Sequence, residues 1–195
     1  MNCFPFKDDA ELKNSIISLA NQAISYAFLH NGDRLPDHLI VKNPELCESM
    51  ACFVSLSEGE MLRGCVGTTV ANDRLDTNIA WYAHEAAFHD PRFDPIQRED
   101  LTKLTVKVSL LSKPLPLVVE NEAHLLEQLV PNKDGLIIQY GQLTGVFLPC
   151  MWQKFNSPEA FLVALKEKAG WPQHSWTQAM KASVFQTYYF EGPLG

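Results

Sequence analysis

Residues 51–69 read Ala51-Cys52-Phe53-Val54-Ser55-Leu56-Ser57-Glu58-Gly59-Glu60-Met61-Leu62-Arg63-Gly64-Cys65-Val66-Gly67-Thr68-Thr69. Positions 51–56 are rich in β-formers, 57–60 carry turn residues and 61–69 resume as strand, so the stretch predicts a β-hairpin. Helical patterns flank it on both sides. Upstream, Leu12, Ile16, Leu19, Ala20, Ala23 and Ala27 recur at helical spacing, with Asp8 or Asp9 placed to cap the helix and Asn31-Gly32 to end it. Residues 33–48 are rich in Pro and Asp and read as a loop. Downstream, 73–76 offers Asp caps for a second helix carrying Ile79, Tyr82, Ala83, Ala86 and Ala87. That helix must stop near His89, because Pro91 pushes Asp90 out of α geometry.

Further along, 104–111 alternates Leu104, Val106 and Val108 against Thr105, Lys107 and Ser109, the pattern of a half-buried strand. A short helix is predicted over 121–129. A second hairpin follows, with strands at 136–139 and 146–148. Ser157-Pro158-Glu159 combines a cap, Pro at the first helical position and an acid in the first turn, and Gly170 closes that helix. Positions 184–190 read as one last aromatic strand. Helices and hairpins are interspersed, and none of the strand–helix–strand units carries a Gly-rich turn. The expected class is therefore α+β, a mainly antiparallel sheet flanked by helices. Proline-rich joints near Pro36, 91–95 and 114–116 are places where a small lobe could separate from the main body within one domain over 1–195, and they are too short to be flexible linkers.

The chain has 195 residues, with 16 Lys+Arg against 23 Asp+Glu and a formal net charge of −7. Hydrophobic content of 46% with 20% charged residues excludes a disordered chain. The acidic balance argues against nucleic acid, whose binding rests on clustered Lys and Arg, but is compatible with a small anion held by one or two arginines. No apolar run approaches the ~18 residues of a membrane span, and Lys7, Asp8 and Asp9 precede any apolar run, unlike an export signal. Cys3, Cys47, Cys52, Cys65 and Cys150 are odd in number and irregularly spaced, as reduced thiols are. A cytoplasmic protein without membrane attachment is expected.

Two segments carry chemistry. In Leu62-Arg63-Gly64-Cys65-Val66-Gly67-Thr68, glycines inside a strand mark a bulge or a close approach. A regular strand would put Arg63, Cys65 and Gly67 on one face, with the Arg63 guanidinium as the cationic neighbour that lowers a thiol pKa. The alternative is that Cys65 packs as a small buried hydrophobe and the glycines serve a tight sheet. A two-residue loop at Glu58-Gly59 would set Cys52 across from Cys65, and a one-residue slip would abolish that pairing.

The second segment is His84-Glu85-Ala86-Ala87-Phe88-His89-Asp90-Pro91-Arg92-Phe93. Its histidines stand at i and i+5, roughly 140° apart on a helix at ~100° per residue, so it is not the i, i+4 zinc-protease pattern. Pro91 throws Arg92 into a loop beside His89 and Asp90, a setting for binding or acid–base work. A brace from Arg92 to Asp90 or to backbone explains the same residues equally well. No structural metal site is expected, since ligand spacing is absent. There is no phosphate-binding loop, dinucleotide fingerprint or nucleophile elbow. Trp152, Phe155, Trp171 and Trp176 read as core aromatics. His30, His38, His124 and His174 carry no signal.

These segments, in this order, resemble the AMMECR domain family, called AmmeMemoRadiSam system protein A in prokaryotes. The resemblance rests on residues 62–68 and 86–93, supported by Val108-Ser109-Leu110-Leu111-Ser112, Asp134-Gly135-Leu136-Ile137-Ile138, Phe147-Leu148-Pro149 and Lys168-Ala169-Gly170. It spans nearly the whole chain. The sequence departs from the family at Val66, where Ile is usual, at Cys150-Met151 and at Trp171. The resemblance implies a compact α+β protein of two unequal subdomains, with a Memo-like protein and a radical-SAM protein as partners. It implies no reaction and no cofactor, which stays unknown. It places the functional centre at Arg63, Gly64, Cys65 and Gly67.

Three readings follow. One is an enzyme or enzyme component, with Cys65, His89 and Asp90 as catalytic candidates and Arg63, Gly64, Gly67 and Arg92 holding the ligand. The second is a binding or adaptor module that uses the same cleft for a partner protein or small anion. The third is that the motif is structural.

Overall fold

The computed structural model describes residues 10–40 and 43–195; the expected Asp8/Asp9 cap and Cys3 lie outside them. In chain order the elements are α1 (Ala10–Leu29), β1 (Cys52–Glu58), β2 (Met61–Gly67), α2 (Leu75–Phe88), β3 (Leu104–Leu111), β4 (Leu115–Leu117), α3 (Glu122–Gln128), β5 (Gly135–Tyr140), β6 (Leu143–Phe147), α4 (Pro158–Lys168), β7 (Lys181–Phe185) and β8 (Thr187–Pro193). The strands form two four-stranded antiparallel sheets, in orders β2-β1-β3-β8 and β4-β7-β5-β6, and the class is α+β. The chain divides into two unequal units, the residues up to Leu111 with Tyr188–Gly195, and Ser112–Thr187. Each has its own apolar core. No helix among the described residues is long and apolar enough to cross a membrane.

In the first unit, strand alternation decides the layers. Cys52, Val54 and Leu56 of β1 and Leu104, Val106, Val108 and Leu110 of β3 are buried beneath α1 and α2. Burying each large aliphatic side chain contributes roughly 1.5–3 kcal/mol. Phe53, Ser55 and Ser57, with Thr105, Lys107 and Ser109, stand half-buried on the opposite face. Helix α2 ends as Pro91 requires: His89 leaves helical geometry at φ −130°, ψ 8° while its N–H still donates to the Glu85 carbonyl. Its start differs from expectation. Arg74 holds the cap position, and its guanidinium reaches forward onto buried Asp76 in the first turn. Burial pushes the Asp76 carboxyl up, but hydrogen bonds from Arg74 and Thr77 outweigh it and leave it below the usual range.

In the second unit, Trp152 stacks on Phe161 at 3.8 Å between centroids and donates from Nε1 to the Asp134 carbonyl at 2.7 Å. Trp152, Phe155, Trp171 and Trp176 all belong to or pack on this core, as the sequence indicates. Ser157 caps α4 by accepting from the Ala160 N–H, and Gly170 follows with φ +81°. Two sequence readings change here. The Pro114–Pro116 joint contains β4, an edge strand paired with β7, where proline's missing N–H is tolerated. The aromatic strand read at 184–190 is two strands in different sheets, broken at Gln186, whose N–H and C=O are taken by the Ser112 hydroxyl and N–H.

Candidate functional site

The predicted hairpin is present as β1 and β2, turning at Gly59 in left-handed geometry with φ +57°. Its register is interrupted. Glu58 pairs Met61 and Ser57 pairs Leu62, but Leu56 pairs Gly64, which leaves Arg63 as the extra residue of a β-bulge. This corrects two expectations. Regular alternation between Arg63 and Cys65 is broken, and Arg63 instead ion-pairs with Glu58 at 3.2 Å and Asp100 at 3.5 Å. Because the two-residue loop is Gly59-Glu60 and not Glu58-Gly59, and the bulge adds one more position, Cys65 faces Ser55 rather than Cys52, and the Ser55 hydroxyl lies 3.1 Å from its Sγ. Cys52 pairs with Leu110 on β3 and is fully buried, and burial pushes its thiol up to about 12. Cys52 and Cys65 therefore lie on opposite faces of the paired strands β1 and β2.

The two motif glycines have a packing role. A Cβ on Gly64 would lie 1.9 Å from the Ala86 carbonyl oxygen, so β2 rests directly on the backbone of α2. A Cβ on Gly67 would lie 2.3 Å from the Cys52 carbonyl oxygen and 2.5 Å from Phe53 Cα. What these glycines admit here is protein backbone, the close approach that the tight-sheet reading expects.

The loop after α2 is tied to the motif strand. Asp90, only 5% exposed, accepts the Cys65 N–H at 2.8 Å. It also receives the Arg92 fork, Nε at 2.8 Å and Nη2 at 2.6 Å, and the Arg92 N–H at 3.2 Å. Arg92 Nη2 donates in addition to the Cys65 carbonyl at 2.8 Å. The Arg92 guanidinium is the main reason the Asp90 carboxyl falls to about 2, outweighing burial, with the Cys65 N–H adding to it. Such a carboxylate is a poor proton acceptor near neutrality, and its hydrogen bonds hold the Arg92 fork and the Cys65 N–H together. The braces to Asp90 and to backbone are both real, and the Asp90-to-Phe93 loop lies at the hairpin as expected. Arg92, its pKa raised first by Asp90, also neighbours the Cys65 thiol. The cationic neighbour of Cys65 is thus Arg92 from the loop, where the sequence reading had nominated Arg63.

Arg63 and Arg92 line one cavity of about 420 Å³ with Pro91, Phe93 and Asp94. The structure so brings together Arg63, Cys65, Asp90 and Arg92. His89 is drawn to another group, its ring stacked on His84 with centroids 5.0 Å apart. Sequence reasoning missed Ser55, Glu58 and Asp100. Ser55 was findable only with the correct register, and Asp100 only from the tertiary fold.

Comparison with known proteins gives the chain a set of relatives. The AMMECR1 family model matches residues 17–190. A Methanosarcina barkeri protein is 33% identical over 150 residues, covering 76% of this chain and 74% of its own length. A Thermococcus gammatolerans protein is 32% identical over 191 residues, covering 92% of each chain. The crystal structure of an uncharacterized protein from Pyrococcus horikoshii superposes with a TM-score of 0.84 at 30% identity, covering 95% of this chain and 94% of that one.

Proposed function

The chain belongs to the AMMECR1 family, and on that premise we propose that the cavity beside residues 62–68 is a recognition cleft for a small anionic group, carboxylate or phosphate. One observation carries this reading. Two guanidinium groups from separate elements, Arg63 on the hairpin and Arg92 on the loop, line a single cavity, and each is already oriented by carboxylates. A guanidinium fixed in advance loses less entropy on engaging a ligand, and its planar fork suits carboxylate and phosphate. Calorimetric titration with inorganic phosphate and with malonate tests it. Saturable binding that weakens roughly tenfold in Arg63→Gln, as expected for one charged hydrogen bond, supports the cleft. Absence of binding to the wild type, or unchanged binding in Arg63→Gln, overturns it.

A second reading, an enzyme component with Cys65 as nucleophile, is favoured by the Arg92 guanidinium beside the thiol and the Ser55 hydroxyl at 3.1 Å. Alkylation rate against pH separates the two. A nucleophile reacts with an apparent pKa below ~8.5, and Arg92→Gln raises it more than Arg63→Gln does. The Memo-like and radical-SAM partners implied by the family resemblance are part of this second proposal; co-expression followed by size-exclusion chromatography checks them.

A further inference from the structure

His84, Glu85 and His89 are not among the residues lining the arginine cleft, and neither proposed reading of that cleft rests on them. On an ideal helix the two histidines diverge. Here His89 has left the helix, and its backbone at φ −130°, ψ 8° swings the ring back over His84, 26° from parallel. The zinc-protease pattern is set aside on the ideal-helix separation of these two histidines, which this local unwinding removes.

We infer that His84, Glu85 and His89 form a binding site for a divalent transition metal of the zinc class. One donor atom from each lies within 4.8 Å of the others. The Glu85 Oε1 is 3.4 Å from His84 Nδ1 and 3.6 Å from His89 Nδ1. Tetrahedral zinc with bonds of ~2.0–2.2 Å holds neighbouring ligand atoms about 3.4 Å apart. Both histidine nitrogens already stand near that spacing from Glu85, and closing on an ion requires the rings to draw together and Arg34 to release the carboxylate.

A second observation points the same way. His84 is 2% exposed, and its Nε2 lies 2.9 Å from the Gly32 carbonyl oxygen. A carbonyl only accepts, so Nε2 carries the hydrogen, and in the neutral ring Nδ1 presents a lone pair. That nitrogen stands 3.4 Å from the Glu85 Oε1, an approach that either a proton on Nδ1 or a metal ion bridges. A metal ion in place of that proton takes one ligand from each side. Anchoring the far nitrogen on a backbone carbonyl is also how metal-ligating histidines are oriented.

Arg34 supplies the competing charge. Its Nη2 sits 2.6 Å from Glu85 Oε1, and its guanidinium lies over the Trp81 ring at 3.4 Å. Arg34 is 43% exposed on its side chain, so it has room to yield, and it sets the affinity by holding the same oxygen the metal needs. His89 is 54% exposed on its side chain, so the fourth position of a three-ligand site opens towards solvent, where water or a donor ligand completes the ion.

The test is calorimetric titration of the chelator-stripped full chain with Zn²⁺, together with Co²⁺ visible absorption as a reporter of four-coordination. One equivalent should bind. Glu85→Gln and His89→Gln should each weaken it by more than the ~10–100-fold cost of losing an outer partner. Arg34→Gln should strengthen it, and the Co²⁺ spectrum should lack thiolate charge-transfer. Circular dichroism confirms that each variant is folded, and His89, being exposed, is the variant least coupled to the core. Three results would overturn the proposal: no Zn²⁺ binding by the wild type, binding unchanged in both ligand variants, or a Co²⁺ spectrum dominated by thiolate.

Discussion

The two hairpins of the molecule have similar turns and different interiors. Both turn at a left-handed glycine, Gly59 at φ +57° in the first unit and Gly141 at φ +60° in the second. β5 and β6 then pair without interruption from Tyr140↔Leu143 to Leu136↔Phe147. β1 and β2 pair around a bulge at Arg63, and an Asp90 carboxylate arrives from another element to take the Cys65 N–H. The regular hairpin serves a core. The irregular one gathers paired charges, a thiol and a cavity, and bulges commonly re-aim side chains in this way next to binding sites.

A matched pair of substitutions gives the largest expected contrast. Gly64→Ala drives a methyl into the Ala86 carbonyl and should cost about 3 kcal/mol or more, or prevent folding. Gly145→Ala in the second hairpin meets only the Ala169 and Leu165 side chains at 3.1–3.4 Å, which can yield, and should cost about 1 kcal/mol. Chemical denaturation of both variants measures the difference, and equal losses would break the comparison.

Next comes Asp90→Asn, expected to cost about 2 kcal/mol near neutrality by weakening the Arg92 fork. Its pH dependence is the sharper reading. The folded carboxyl is depressed from 3.8 to about 2. The stability it contributes is therefore complete above about pH 4 and is lost as pH falls towards 2. Wild type and Asp90→Asn should converge over that window and stay parallel above it. Divergence on acidification would refute the linkage.

Arg63→Gln should cost about 1 kcal/mol or less, since its pairs with Glu58 and Asp100 are partly solvated. Its effect should shrink in high salt, and a salt-independent loss would place Arg63 in packing. The smallest effect is Ser55→Ala, about 0.5 kcal/mol for one weak contact to sulfur. If alkylation of Cys65 changes more than stability does, the hydroxyl tunes the thiol.

Legibility divided along the same line. The cap-and-proline signals of α4, the Pro91 stop of α2 and the β-rich runs of both hairpins were readable because each depends on residues within a few positions of one another. The proximity of the Asp90 loop to Cys65 was anticipated from chemistry alone. The split of the aromatic stretch at Gln186 was not, since nothing local distinguishes one long strand from two that enter different sheets.

By itself, then, the sequence determined the α+β class, the hairpin at residues 51–69 and the family, because periodicity, turn residues and motif order are properties of the chain. Tertiary structure decided which partner each reactive group meets. The hairpin turns at Gly59-Glu60 and not at Glu58-Gly59, which moves the partner of Cys65 from Cys52 to Val54, and the extra residue at Arg63 moves it once more, to Ser55. The end of α2 acts similarly: once His89 leaves helical dihedrals, helical spacing no longer predicts direction, and its ring comes to rest on His84. Gly64 completes the pattern, its need for a bare Cα set by a carbonyl twenty-two positions away that only the packed helix brings into contact.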